Sequence, residues 1–141
     1  MTDSMSLIGT WRMTSWTRKA IATGEVTDAM GADPIGYIAY HADGRMMAFV
    51  ARRERPRPEN KQLKESQKVE LFDTMLAYCA SYTLEGDKVI HHVDAAWNPA
   101  WQMDLIRPYA LDGDRLVIAG APGRDTITSE PVEFRMEFRK V

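Results

Sequence analysis

Residues 88–111 read KVIHHVDAAWNPAWQMDLIRPYAL, which predicts two β-strands joined by a short turn. The predicted strands run from Lys88 to Ala95 and from Gln102 to Leu111, and the turn is centred on Pro99. Side chains alternate between the two faces of a strand, so the Val and Leu residues share one face of this hairpin. The other face carries polar side chains, namely His92, Asp94 and Asp104. We therefore expect one buried face and one solvated face.

Two polar side chains fall on the apolar face. Pairing the strands about Pro99 sets His91 opposite Arg107. An isolated charge on a dry face is costly unless a partner satisfies it. We therefore interpret His91 and Arg107 as part of a binding or catalytic site. The alternative is a cross-strand polar pair on a solvated face, which a slip in register would produce.

Turn signals on either side of this hairpin extend the same face. Gly86 and Gly113 each stand beside Asp between alternating apolar runs, a pattern typical of hairpins. Reflection through the first turn sets Tyr82 opposite His91, and Tyr109 follows Arg107 on the same face of its strand. The predicted inner surface therefore combines four polar side chains with Ala, Val, Leu and Ile, and these four are Tyr82, His91, Arg107 and Tyr109.

The rest of the chain shows the same spacing of strands and turns. Eight successive strands joined mostly by short turns favour an antiparallel meander closed into a barrel. A short hairpin around Gly24 would add a ninth strand. We therefore expect an all-β fold, an eight- or nine-stranded antiparallel barrel. The further predicted strands are Ile8 to Thr17, Ile35 to His41, Met46 to Ala51 and Val132 to Arg139.

One segment departs from the strand pattern. From Lys64 to about Tyr78 the apolar residues recur with a period near that of an α-helix, which predicts an amphipathic helix covering one barrel mouth. The proline-rich stretch before it, Arg55 to Asn60, is expected to act either as a mobile flap or as a structural plug.

Length and composition restrict the class of protein. The chain has 141 residues, a net charge of −2 and one cysteine, so we expect a single domain (1–141) without an internal disulfide. The basic run Arg52 to Pro58 is broken by Glu and Pro, and we interpret it as a solvated loop. We expect no nucleic-acid or membrane partner and a cytoplasmic location, since the first residues lack the pattern of a signal peptide. A homodimer is left open.

Several segments together carry a family resemblance. The first, Leu7 to Trp11, contains a Gly-x-Trp signature, and the others are Gly31 to Tyr37, Asp43 to Met46, Val89 to Val93, Asn98-Pro99 and Leu111 to Leu116. In this order they resemble the lipocalin-like domain family of small bacterial and fungal proteins. The resemblance implies a lipocalin-like barrel in which a small, mostly apolar molecule could fit, and the helix predicted above would be its lid. It also implies that Trp11 plugs the closed end, covered by either Arg139 or Lys140.

The chemistry of Arg107-Pro108-Tyr109 indicates what such a cavity would hold. This segment is similar to the Arg-x-Tyr carboxylate clamp of fatty-acid-binding proteins. A guanidinium is a rigid fork of donors suited to a carboxylate, and a phenol adds one donor. No acidic residue is predicted on the face of Arg107. We therefore expect binding of a small, largely apolar, anionic or phenolic molecule, without a cofactor.

A cofactor-independent enzyme is the alternative hypothesis. His91 beside Arg107 is expected to be neutral and able to act as a base, with Tyr82 or Tyr109 as proton donor. That set would support an isomerase, a cyclase or a lyase. A metal site is not expected, because His91 and His92 point to opposite faces of one strand. Cys79 is expected to be a buried, inert thiol.

Aromatic side chains complete the predicted site. Trp97 and Trp101 flank the central turn, where they would either stack on a planar ligand or clasp the turn. Tyr40 and Phe49 are predicted ligand contacts. The barrel wall is expected to contain Ile38, Tyr40, Met46, Met47 and Phe49.

Overall fold

The computed structural model describes residues 7–124 and 129–141, and their backbone is mostly extended. Strand bounds are β1 Gly9–Ala20, β2 Val26–Asp28, β3 Ile35–Tyr40, β4 Arg45–Ala51, β5 Met75–Glu85, β6 Lys88–Ala96, β7 Asp104–Asp112, β8 Arg115–Arg124 and β9 Pro131–Lys140. The α-helix α1 spans Glu65–Asp73, and short 3₁₀ turns cover Glu59–Lys61 and Pro99–Trp101. In this described part of the chain no helix is long and apolar enough to cross a membrane.

The strands close into a barrel. From β3 to β9 each strand pairs antiparallel with the next, and β1 pairs with both β3 and β9. These eight strands confirm the predicted antiparallel barrel. The ninth, β2, is a three-residue strand that pairs with the end of β1, where Arg18 lies opposite Thr27. It follows the turn at Gly24, as the sequence predicts.

One end of the barrel is closed by Trp11. The indole is buried and donates a hydrogen bond from Nε1 to the carbonyl of Leu7 at 2.9 Å. The basic residue that covers this indole is Lys140. Its Nζ lies 4.7 Å from the ring centroid and donates to the carbonyl of Ile8 at 2.6 Å. Arg139 points elsewhere and pairs with Asp114 at 2.9 Å.

The glycine of the Gly-x-Trp signature is required by this closure. Gly9 has a φ of +133°, and a Cβ there would lie 2.6 Å from Cε of Lys140. We expect Gly9→Ala to lower the free energy of unfolding by about 1–3 kcal/mol, through backbone strain and displacement of Lys140 from Trp11. Urea unfolding measures this. Gly24→Ala is the control, because Gly24 has a φ of +76° with nothing within 4 Å of the added methyl. An equal loss in both variants would contradict a role for Lys140.

The observed helix is shorter than predicted at its C-terminal end. It was expected to reach about Tyr78, but α1 ends at Asp73 and β5 begins at Met75. The run from Met75 onward pairs residue by residue with β4, with Ala51 opposite Met75 and Val50 opposite Leu76. Leu76 and Ala80 are buried by this pairing, whereas α1 has no buried residue. Sheet pairing therefore overrides the helical period at this point.

The hairpin quoted first is shifted by two residues from its predicted register. His91 lies opposite Leu105, and Arg107 lies opposite Val89. The connection turns about Asn98 rather than Pro99, because the Asn98 side chain accepts a hydrogen bond from the Ala100 amide and starts the 3₁₀ turn. A shift of two preserves the face, so His91 and Arg107 both point inward. The predicted pairing of Tyr82 with His91 is confirmed.

Two side chains expected in the barrel wall point outward instead. In β4, Met46, Ala48 and Val50 are buried, while Met47 and Phe49 are 58% and 46% exposed. Strict alternation from the turn at Gly44 sets this, since neighbours along a strand cannot share a face. Phe49 borders a shallow groove on the outer surface. Cys79, which was expected to be buried, is half-buried within β5.

Candidate functional site

The barrel encloses a cavity of about 960 Å³ toward the end opposite Trp11. Inward side chains of the strands form its wall, and α1, Trp97 and Trp101 border it. The wall is mainly apolar, with contributions from Trp16, Met30, Ile38, Val50, Leu76, Leu105, Ile118, Phe134, Met136 and Phe138. Cavities of this size and lining suit small organic ligands.

The predicted polar residues separate into two levels. His91 and Arg107 belong to the cavity wall, as does Tyr78. Tyr40, Tyr82 and Tyr109 also point inward and are buried, but they are not part of that wall. They pack with Trp11, Met13, Met46 and Leu116 in the hydrophobic core. The inward direction of Tyr82, His91, Arg107 and Tyr109 was therefore predicted correctly, but not how deep each side chain lies.

His91 is held from both sides by tyrosine hydroxyls. Its Nε2 lies 2.6 Å from the Tyr40 hydroxyl, and its Nδ1 lies 2.8 Å from the Tyr78 hydroxyl. The side chain is 1% exposed. Burial, then the nearby charges of Arg107 and His92, lowers the pKa of His91 from 6.5 to about 3. The imidazole is therefore neutral near neutral pH, as expected from its position beside Arg107.

The two tyrosines remain protonated. Burial raises the pKa of Tyr78 to about 12, even though Arg107 acts in the opposite direction. The pKa of Tyr40 is raised well above its ordinary value, also mainly by burial. The Tyr82 hydroxyl is directed away from His91 and donates to the carbonyl of His41 at 2.9 Å. A hydrogen-bonded chain thus runs from Tyr40 through His91 to Tyr78.

Arg107 brings a positive charge to the apolar wall. Its side chain forms no ion pair or hydrogen bond with residues 7–124 or 129–141. Burial lowers the pKa of its guanidinium, and the nearby phenols of Tyr78 and Tyr40 oppose this change. A guanidinium in this setting presents unused donors to the cavity.

Trp97 and Trp101 form an aromatic cluster at the cavity. Their rings lie 5.2 Å apart between centroids, Trp97 lies 5.9 Å from Phe72, and Trp101 stacks on Tyr78 at 6.2 Å. The Trp97 indole also donates to the Phe72 carbonyl at the end of α1, at 3.1 Å. The two indoles therefore pack together at the turn, and both also border the cavity, while stacking on a planar ligand stays a prediction.

A charged loop residue secures the helix at the same place. Arg55 donates to the Leu71 carbonyl at 2.8 Å and to the Thr74 hydroxyl at 3.3 Å. Residues 52–58 are therefore not simply a solvated loop, because Arg55 is half-buried against α1. This contact favours the interpretation of Arg55 to Asn60 as a structural plug over that of a mobile flap.

The opposite sheet face is solvated as expected. His92 lies between Asp104 and Thr83, each at 2.9 Å, and Asp94 pairs with Arg45 at 2.9 Å. His41 is exposed. Among the residues that the structure describes, no three His, Cys, Asp or Glu side chains cluster as metal ligands would.

Tyr78 is the site residue that the sequence reading missed. The sequence analysis assigned Tyr78 to the end of the predicted helix. Its contact with His91 depends on a place in β5 and was therefore not predicted. The alternation Leu76, Tyr78, Ala80, Tyr82 was the signal available for a strand, because it places these residues on one face.

Comparisons with known proteins bear on the fold as a whole. A family model described as the lipocalin-like domain matches residues 8–130. No curated protein matches the chain.

Proposed function

The chain belongs to the lipocalin-like domain family, and from that premise we propose that its barrel binds a small, largely apolar molecule carrying an anionic or phenolic group. The observation that carries the proposal is the position of Arg107 on an apolar cavity wall, without an ion pair to any described carboxylate. A bound anion would satisfy the guanidinium and strengthen its hydrogen bonds through charge. The apolar wall would contact the remainder of the ligand.

In this proposal the second donor is Tyr78 rather than Tyr109. Tyr109 shares the inward face of β7 with Arg107 but lies outside the cavity wall, whereas Tyr78 forms part of it. The analogy with an Arg-x-Tyr clamp within one strand is therefore replaced by a pair on two strands, Arg107 in β7 and Tyr78 in β5. Trp97 and Trp101 would contact a planar ligand at the cavity border.

The enzymatic alternative has less support. Both ring nitrogens of His91 are occupied by tyrosine hydroxyls, and a pKa of about 3 makes the imidazole a weak base. General-base catalysis is most effective when the pKa lies near the working pH. Proton abstraction by His91 would also require one of these hydrogen bonds to break. We therefore favour binding without turnover.

Titration with an acid and its methyl ester tests the proposal. Biphenylcarboxylate and its methyl ester have nearly the same apolar body, so calorimetry with both isolates the charge. We expect the acid to bind about tenfold or more tightly, the value of one charge-assisted hydrogen bond. Equal affinity for the two compounds would contradict an anion site.

A tyrosine pair tests which phenol contacts the ligand. We expect Tyr78→Phe to weaken binding of biphenylcarboxylate about fivefold to tenfold, because one hydrogen bond is lost. Tyr82→Phe removes the same atom but at the His41 carbonyl, and should leave the affinity within about twofold. Far-UV circular dichroism checks that both variants fold. The reverse order of effects would contradict the assignment of the second donor to Tyr78.

A further inference from the structure

The hydrogen positions in the chain Tyr40–His91–Tyr78 are not independent. His91 is neutral, so one ring nitrogen carries a hydrogen and the other accepts one. In one arrangement, Nδ1–H donates to Tyr78 and Nε2 accepts from Tyr40. In the other, Nε2–H donates to Tyr40 and Nδ1 accepts from Tyr78. Each arrangement leaves one tyrosine hydroxyl hydrogen without a place in the chain.

Burial of Tyr40 distinguishes the two arrangements. Tyr40 is 1% exposed, and His91 is its one side-chain hydrogen-bond partner in the described part of the protein. If Nε2–H donated to Tyr40, the Tyr40 hydroxyl hydrogen would be buried without an acceptor. Leaving such a donor unpaired disfavours that arrangement by about tenfold or more. Tyr78 is half-buried on the cavity wall, so its hydrogen can be accepted by a molecule in the cavity.

We propose that Tyr40 fixes His91 in the Nδ1–H form, and that the Tyr78 hydroxyl is thereby presented as a donor that, with Arg107, selects the ionised form of the ligand. The inference rests on the proposed function and narrows it. The ligand class is an oxygen anion that only accepts hydrogen bonds, a carboxylate or a phenolate. A neutral phenol or alcohol is disfavoured, because its own hydroxyl hydrogen meets two donors. Tyr40 is a positioning residue, since it acts through His91.

Other charges around the cavity do not produce the same selection. Among the residues that the structure describes, three cationic and three anionic side chains also border it, and their formal charges cancel: Arg18, Asp28, Arg52, Glu70, Asp73 and Arg124. All except Arg18 are exposed, so solvent screens them. Within the described part of the chain, Arg107 is therefore the charge beside the His91–Tyr78 pair that acts from within the apolar wall.

The direction in which the pKa of a bound chromophoric phenol shifts tests the inference. An alkyl-substituted nitrophenol is bound at saturating protein concentration, and its ionisation is followed by absorbance across pH. Burial in a merely apolar cavity raises the pKa of a phenol. Selection of the phenolate lowers it, and we expect a decrease of about one pH unit or more, a tenfold preference. Tyr78→Phe should reduce the decrease, Arg107→Met should abolish it, and Arg12→Met, on the exposed face of β1, should retain it.

The outcomes separate this inference from the proposed function. If the nitrophenol binds and its pKa is unchanged or raised, selection of the anion is wrong while the cavity still binds ligands. If neither the nitrophenol nor biphenylcarboxylate binds, the proposed function fails and this inference fails with it.

The tautomer of His91 provides an independent measurement. In ¹⁵N-labelled protein without ligand, long-range ¹H–¹⁵N correlation spectra show which ring nitrogen carries hydrogen. We expect Nδ1 to be protonated and Nε2 to be bare, with the His91 signals assigned by their loss in His91→Gln. A spectrum with hydrogen on Nε2 would overturn the role of Tyr40. Exposed His41 serves as an internal reference in the same spectrum.

Discussion

Arg107→Met is expected to remove most of the preference of the cavity for an acid over its methyl ester. Methionine keeps the apolar contacts of the aliphatic part of the arginine side chain, so the change isolates the guanidinium. A charge-assisted hydrogen bond contributes about 1.5–3 kcal/mol, so affinity for biphenylcarboxylate should fall roughly tenfold to a hundredfold. Affinity for the ester should stay equal or rise, because a buried cation without a partner is removed from an apolar wall.

A matched control separates this local effect from net charge. Arg12 is exposed on the outer face of β1, and Arg12→Met changes the charge of the protein by the same amount. The acid and ester affinities of that variant should equal those of the native protein. If Arg12→Met and Arg107→Met weakened acid binding alike, the preference would come from the overall field and not from the cavity.

Acidification is expected to destabilise the folded protein through His91. The folded-state pKa of His91 is lowered to about 3, whereas the unfolded chain binds this proton near pH 6.5. Between these values unfolding takes up a proton, so stability falls as the pH decreases and is fully present above about pH 6.5. From pH 7 to pH 5 the free energy of unfolding should decrease by about 2 kcal/mol from this residue. The cause is that a charged imidazole cannot be solvated between Tyr40, Tyr78 and Arg107.

Urea unfolding at a series of pH values measures this dependence. The range above pH 5 is chosen because the ionic contacts of Asp94 and Glu137, whose pKa values are lowered by Arg45 and Arg115, are retained there. His91→Gln should be less stable at pH 7 but lack most of the pH dependence in this range. NMR titration of the native protein provides a check that needs no variant, because the His91 ring signals should remain those of the neutral form down to about pH 4. A His91 midpoint near 6.5 would contradict the prediction.

Local sequence periodicity was sufficient to predict the barrel. Strands with alternating apolar residues, interrupted by glycine turns, define the meander, and turns at Gly86 and Gly113 set the registers of their hairpins correctly. These features depend on near neighbours, so a single sequence contains them. The predicted inward direction of His91 and Arg107 survived even a shift of register by two residues, because that shift preserves the face.

The sequence pattern could not predict whether a segment forms a helix or a strand when its spacing fits both. The stretch from Met75 to Tyr78 satisfies a helical period, and it became a strand because β4 offers a partner that buries Leu76. The centre of the turn at Asn98 depended similarly on one side-chain hydrogen bond. Both choices rest on contacts whose free energy cannot be read from spacing alone.

The sequence by itself determined that Tyr82, His91, Arg107 and Tyr109 face inward, because alternation along a strand is a local property of the backbone. Only the tertiary structure decided how deep each one lies and which ones meet. Tyr82 and Tyr109 pack in the core outside the cavity wall, while Tyr40 from β3 and Tyr78 from β5 converge on His91 in β6. Barrel closure brings those strands together around one interior, and the hydrogen bonds to His91 join residues up to 51 positions apart in the chain. The candidate site is therefore a property of closure, and its chemistry depends on the burial that closure creates.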